Sequence, residues 1–308
     1  FLARLPPEQV LITCGSQQAL DFVGKLLLDA DDVVLCESPT YLAAISAFRS
    51  YSPKFVEVPT DSEGMMDDAL ERILEGTERV KLIYVIPDFQ NPTGRTWSMA
   101  RRRRLMELAE RFNVAIVEDN PYGELRFEGE ILPSVQSLDT QGLVIGTGTF
   151  SKTFCPGMRI GWMAADPSVV EKLVLIKQGA DLCTSLRSQM EVSLFMERYD
   201  FEGNLKTMIE LYRGRRNAMV AALEKYMPPD VNFTRPQGGL FLWVELPLRV
   251  QSVELLQRCL KQNVAFVPGD AFFPNGGVTN TLRLNYSNMP EERITEGIKR
   301  IAQVLSAN

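Results

Sequence analysis

The chain has 308 residues, 33 Lys and Arg against 39 Asp and Glu for a formal charge of −6, and no histidine. Lacking imidazole, it cannot be a Ser-His-Asp or Cys-His hydrolase, a His-ligated zinc or iron protein, or a haem protein with a proximal His, so proton transfer falls to lysine, tyrosine, a carboxylate or a cofactor. The acidic balance argues against a nucleic-acid coat or a membrane surface, and the length suits one large domain or two of moderate size.

Residues 10–13 read as a strand and 16–28 as a helix, with Ala19, Phe22, Val23, Leu26 and Leu27 on one face. A strand at 33–35 leads to a helix at 42–49. Further strands are expected at 55–58, 82–86, 114–117 and 143–145, with helices at 66–74 and 98–112 between them. Continuous apolar strands separated by helices predict an α/β fold with a mostly parallel sheet between helical layers. Ligands of such sheets sit in the loops at the carboxyl ends of the strands. The run Arg101 to Arg104 points around most of a helix circumference and is expected to be a solvated helix start. From about residue 166 the pattern turns to long helices at 168–181, 186–198 and 205–226. Strands at 240–246, 264–267 and 281–286 and helices at 253–262 and 290–305 follow, giving a smaller C-terminal α+β unit. The expected division is 1–203 and 204–308.

Five cysteines (Cys14, Cys36, Cys155, Cys183, Cys259) are scattered, odd in number and without a CxxC pair. That spacing predicts reduced thiols in a cytoplasmic protein and no metal ribbon. No apolar run reaches about 18 residues. The chain starts at Phe1 without a signal-peptide pattern, and the expectation is that an N-terminal segment is missing.

Six strand-end loops carry chemistry. Gly15-Ser16-Gln17 opens a helix and offers free N–H groups to an anion, with Ser16 suited to an N-cap. Tyr41 places a ring at the rim of the strand ends. Asn91 lies in a Pro-Thr-Gly turn after the strand at 82–86. Glu118 and Asp119 alternate to opposite faces of a strand, Asp119 being nearer the loop that holds Tyr122. Thr149, Ser151 and Arg159 surround Lys152 with donors suited to a phosphate, and a desolvated lysine can form a Schiff base with an aldehyde. Arg283, between leucines in a strand, needs an anion if it turns inward. Each feature alone has an ordinary structural explanation; together they match what a carbonyl cofactor with a phosphate, a phenolic oxygen and a ring nitrogen requires.

The motifs GSQQAL (15–20), ESPTY (37–41), FQNPTG (89–94), EDNPYGELRF (118–127), GTFSKTFCPGMRIGW (148–162), RPQGGLFLW (235–243) and NTLRLNYSN (280–288) resemble, in order, those of fold-type-I class I/II aminotransferases, in the 2-aminoadipate and kynurenine-type branch. The resemblance spans essentially the whole chain. It implies pyridoxal 5′-phosphate bound covalently at Lys152, which then moves the proton between the substrate Cα and the cofactor. Asp119 would face the pyridine nitrogen, Asn91 and Tyr122 the phenolic oxygen, and Tyr41 the ring. Gly15, Ser16, Gln17, Thr149, Ser151 and Arg159 would hold the phosphate, and Arg283, with Asn91, the substrate carboxylate.

The resemblance further implies a large cofactor domain (1–203), a small domain (204–308) and a homodimer. The reaction would move an amino group from an aromatic, branched or 2-aminoadipate-like L-amino acid to a 2-oxo acid, 2-oxoglutarate in the first place. The rival expectation is the effector domain of a MocR/GntR-type transcriptional regulator. Those domains often replace Asn91 and carry His before it, whereas this loop reads Gln90-Asn91. A β-lyase or decarboxylase on the same site is a third possibility.

Overall fold

A computed structural model of the chain describes residues 5–307. The first half alternates strands and helices: β1 (Val10–Thr13), α1 (Ser16–Leu27), β2 (Val33–Ser38), α2 (Leu42–Arg49), β3 (Lys54–Asp61), β4 (Gly64–Met65), α3 (Asp67–Gly76) and β5 (Val80–Val85). It continues through α4 (Met99–Phe112), β6 (Ala115–Asp119), β7 (Val144–Thr149) and β8 (Gly161–Ala164). Three long helices follow, α5 (Pro167–Ala180), α6 (Leu186–Arg198) and α7 (Phe201–Tyr226). The remainder is β9 (Asn232–Phe233), β10 (Phe241–Glu245), α8 (Ser252–Leu260), β11 (Val267–Pro268), β12 (Thr281–Asn285) and α9 (Glu291–Ser306).

The larger sheet has the order β1-β8-β7-β6-β5-β2-β3-β4. Its central strands from β7 to β3 are parallel, while β8 runs antiparallel to both β1 and β7. Strand alternation divides the core. Leu82 and Tyr84 of β5 pack with Leu20, Phe22 and Val23 of α1 on one face, and Ile83 and Val85 pack with Leu70, Leu105 and Leu108 on the other. Each fully buried leucine there stabilises the fold by about 1.5–3 kcal/mol. The smaller sheet, β11-β12-β10-β9, is antiparallel. Its inner residues Leu242, Val244, Leu282 and Leu284 pack with Met219, Leu223, Leu255, Ile294 and Ile298 from α7, α8 and α9. The segment after β6 joins the two sheets: Arg126 bridges to Gly238, and Phe127 enters the core of the smaller one against Tyr286.

Four expectations are corrected. Ser16 is the first helical residue and makes no cap; the N-cap is Gly15, whose left-handed φ of 75° only glycine adopts freely. The four arginines are not all solvated, although Arg103 is exposed. Arg102 is fully buried, with Asp88 at 2.8 Å and the carbonyls of Pro87 and Pro133 as acceptors. The helix expected at 205 starts at Phe201, because Asp200 caps it through the Gly203 N–H. The strand expected at 264–267 pairs only at Val267–Pro268. No helix of the described residues is long and apolar enough to cross a membrane.

Candidate active site

The carboxyl ends of β2, β5, β6 and β7, with the turn after β1, open onto one cavity of about 250 Å³. Ten of the twelve candidate residues line it: Ser16, Gln17, Tyr41, Asn91, Asp119, Tyr122, Thr149, Ser151, Lys152 and Arg159. Gly15 lies directly beneath, and Arg283 reaches Asn91 from the smaller sheet. A larger hollow of about 560 Å³ lies at the opposite ends of the strands. There Arg79 and Asp32 pair with each other at 2.7 Å, and strand starts are not where such sheets bind ligands.

One wall of the cavity is built to take an anion. The helix α1 begins at Ser16, so the first N–H groups have no intrahelical partner. The Arg159 guanidinium packs on Gly15, in the space a Cβ would fill. Arg159 holds a left-handed backbone, φ 53°, at a cost of about 1 kcal/mol. It donates to Ser151 Oγ at 3.2 Å and to the Pro156 carbonyl at 3.1 Å. Thr149 Oγ1 and Ser151 Oγ are 2.9 Å apart. No acid pairs with Arg159 among the described residues, so the cluster has positive charge and donors to spare for a phosphate. Gly161 of β8 closes the back of this wall: a Cβ there would stand 2.6 Å from the Gly15 carbonyl carbon and 2.7 Å from the Ser16 nitrogen.

Asp119 forms the floor. It is buried at the end of β6, where Tyr84 Oη donates to Oδ2 at 2.7 Å and Thr147 Oγ1 to Oδ1 at 3.0 Å. Burial raises its pKa to about 6, against the opposing pull of those two hydrogen bonds. A buried carboxylate with neutral donors, and with no ion pair among the described residues, calls for a positive partner from the cavity side. Strand alternation sends Glu118 the other way, where it accepts from the N–H groups of Val135 and Gln136.

Lys152 follows β7. Burial, then Arg283 and Arg159, lower its pKa below the usual lysine value, which favours the neutral, nucleophilic amine. Burial raises the Tyr41 phenol, with Asp119 adding to it, and burial likewise raises that of Tyr122. Asn91 joins the two sheets: its Oδ1 accepts from Arg283 Nη1 at 2.8 Å, and its Nδ2 stands 3.4 Å from Tyr122 Oη. The Arg283 guanidinium lies over the rings of Phe241 (4.0 Å) and Phe272 (5.1 Å) and its Nε is buried without a partner. Burial lowers its pKa. An arginine held this way has hydrogen-bonding capacity left for a carboxylate.

Three contributors were not assigned roles from sequence. Tyr84 and Thr147 orient Asp119, and Gln90 braces the Asn91 turn by accepting from Thr93 N and Oγ1 at 2.9 and 2.6 Å. Tyr84 did carry a signal, being the one hydroxyl in the otherwise apolar run 82–86.

The family model for aminotransferase class I and II matches residues 2–301. An aromatic-amino-acid aminotransferase of Thermococcus litoralis is 46% identical over 96% of this chain and 72% of its own length. The structure of a Pyrococcus horikoshii kynurenine aminotransferase, with PMP and kynurenine, superposes with a TM-score of 0.94 at 43% identity, covering 97% of this chain and 75% of that one. An α-aminoadipate aminotransferase of Thermus thermophilus, in complex with N-(5′-phosphopyridoxyl)-L-leucine, also gives 0.94, at 44% identity, with 98% and 78% covered. An HTH-type transcriptional regulator of Bacillus subtilis matches at 32% identity; this chain spans 97% of itself and 61% of that protein.

Proposed function

Because this chain belongs to the class I and II aminotransferases, we propose that it transfers the amino group of an aromatic, branched or 2-aminoadipate-like L-amino acid to a 2-oxo acid, with 2-oxoglutarate as acceptor. The cofactor is pyridoxal 5′-phosphate. The observation that carries this reading is one cavity holding Lys152, Asp119, Asn91, Tyr122 and Arg159, with Arg283 reached through Asn91.

The residues present fit that cofactor. The unpaired Arg159 and the start of α1 suit its phosphate, the buried Asp119 its ring nitrogen, and the partnerless Arg283 Nε the carboxylate of its substrate. When bound, the cofactor supplies a carbonyl that condenses with amines and a pyridinium ring that accepts an electron pair. The chain supplies position and protons. Lys152 Nζ would hold the cofactor and would carry the proton to and from the substrate Cα. Asp119, kept in place by Tyr84 and Thr147, would serve the ring nitrogen and favour its protonated form. Asn91 and Tyr122 would donate to the phenolic oxygen, and Tyr41 would pack on the ring. Ser16, Gln17, Thr149, Ser151 and Arg159, with Gly15, would hold the phosphate. Arg283 fixes the substrate carboxylate and so aligns the Cα–H bond.

On this reading residues 1–203 form the cofactor domain and 204–308 the small domain, a division that falls in the first turn of α7. The active form is a homodimer in the cytoplasm. Exposed Leu186, Met190 and Leu194, spaced along one face of α6, support a subunit contact, and five unpaired cysteines support a reducing compartment. Neither nucleic acid nor a membrane is expected as a partner. The Gln90-Asn91 sequence of the loop, and the higher identity to the aminotransferase than to the regulator, favour catalysis over a regulator's effector role.

The full chain loaded with pyridoxal phosphate should show a visible absorbance band that amino acids abolish, with release of the matching 2-oxo acid. Lys152→Ala should remove band and product together. A band that persists across an amino-acid panel, with no oxo acid formed, would refute the assignment. Comparison of kcat/KM across that panel ranks the donors, and product analysis separates transfer from lyase or decarboxylase chemistry.

A further inference from the structure

Two buried acids with no ion pair among the described residues stand outside the chemistry above. Glu118 serves the turn at Val135, away from the cavity. Glu37 lies on the same sheet face as Glu118, yet its partners belong to the loop that carries Asn91. It is buried near the end of β2, and accepts the Ile86 N–H on one oxygen at 3.0 Å and the Trp97 Nε1–H on the other at 2.9 Å. Ile86 and Trp97 bracket the loop that carries Asn91 between β5 and α4. The Gln90 side chain adjoins the same carboxyl and donates to the Pro39 carbonyl at 2.7 Å, next to the turn that presents Tyr41. The loop is therefore tied at both ends to one carboxyl group and at its middle to a second element of the site.

From these contacts we infer that Glu37 is a positioning residue, which holds loop 87–97 so that Asn91 turns its carbonyl oxygen to Arg283 and its amide to Tyr122. The alternative explanations account for less. An apolar side chain would fill the space without the cost of burying a carboxyl group. Ion pairing does not account for it either: Arg95 acts on Glu37 only at a distance, and no ion pair joins them among the described residues. What a carboxylate adds is two diverging acceptors, one for each end of the loop. Glutamine has one acceptor, and its amide would face one of the two N–H groups. Through Asn91 the effect reaches Arg283, and so the grip on the substrate carboxylate. That last step rests on the functional reading given above.

The test uses the full chain and the variants Glu37→Gln and Trp97→Phe. In the cofactor-free protein, Glu37→Gln should speed amide hydrogen exchange across residues 87–97 by about tenfold, with the strands flanking the loop unchanged. In the loaded enzyme it should raise KM for the amino donor about tenfold while kcat falls less than about threefold. Trp97→Phe, which removes one donor and keeps the acid, should give the same split at about a third of the size. In an Asn91→Ala background, Glu37→Gln should raise KM no further, because the two act in series. Unchanged exchange, an equal fall in kcat with KM unmoved, or a full effect in the Asn91→Ala background would each overturn the inference. If the wild-type chain forms no oxo acid, the functional reading fails, while the exchange result still decides whether Glu37 holds the loop.

Discussion

Tyr84→Phe isolates the part of the site that sequence reading left unassigned. The ring is buried and packs edge-on against Phe48, with centroids 5.7 Å apart, so phenylalanine keeps the packing and removes only the hydroxyl. That hydroxyl donates to Asp119 Oδ2 at 2.7 Å and leaves Thr147 as the only other side-chain donor among the described residues. A hydrogen bond to a charged group contributes about 1.5–3 kcal/mol, which at 1.36 kcal/mol per pH unit is a shift of roughly one to two units. Asp119, at about 6 in the native protein, should then titrate at roughly 7–8 in the variant. Carboxyl NMR of the cofactor-free chain reads that midpoint directly. In the loaded enzyme the acid limb of kcat/KM should move up in the same direction, because a neutral Asp119 no longer favours the protonated ring. An unmoved midpoint, or a uniform fall in rate at all pH values, would refute the reasoning.

Three further outcomes follow from the same geometry. Gly161→Ala should weaken pyridoxal phosphate binding by tenfold or more in a direct Kd measurement, because its Cβ would press on the backbone of Gly15, Ser16 and Gly148 at 2.6–2.9 Å, overpacking of a kind that costs about 1–3 kcal/mol. The cofactor-free chain should lose stability as pH rises from about 4 to 7 in denaturant titrations. Glu37 and Glu118 are pushed up to about 7 and Asp119 to about 6. Their folded pKa values lie above the unfolded ones, so the stabilisation is complete at low pH and is lost as each ionises. The Asp119 share is roughly 3 kcal/mol, and cofactor binding should suppress it. Arg102→Met should lower stability by about 3–5 kcal/mol, or Tm by on the order of 5–10 °C, since Asp88 keeps only Arg126 as an ion-pair partner among the described residues and the carbonyls of Pro87, Trp97 and Pro133 each lose the Arg102 donor.

The parts of this fold that could be read in the sequence are those where local pattern and tertiary environment agree. β2, β5, β6 and β7 are apolar on both faces because helices cover both faces, and their runs are visible without a structure. β8 was not visible: it is four residues long, begins at a glycine, and exists because β1 and β7 flank it. Its antiparallel direction has no local signature at all. Most of the site residues stood out because they sit at or just after the carboxyl end of a strand, and Arg283, inside β12, because it is a charge between leucines. Tyr84 and Glu37 lie within strands, and their partners come from the order in which strands lie side by side. Arg102 was misjudged because a run of like charges suggests solvent, and Asp88, its counter-ion, is set by the same loop that carries Asn91.

The segment from Leu125 to Glu128 also constrains how the molecule is made. Phe127 belongs by sequence to the first half but by packing to the last, among Met219, Leu242 and Tyr286. A ribosome adding about 5–20 residues per second emits Phe127 roughly 8–32 seconds before Tyr286. During that interval the first half carries an uncovered aromatic side chain and a backbone strip whose pairing partners, Gln237 and Gly238, do not yet exist. The nascent chain therefore passes through a stage with a specific sticky site. A fragment ending after α6 should retain that site permanently, and would be expected to associate with chaperones or with itself where the finished protein does not.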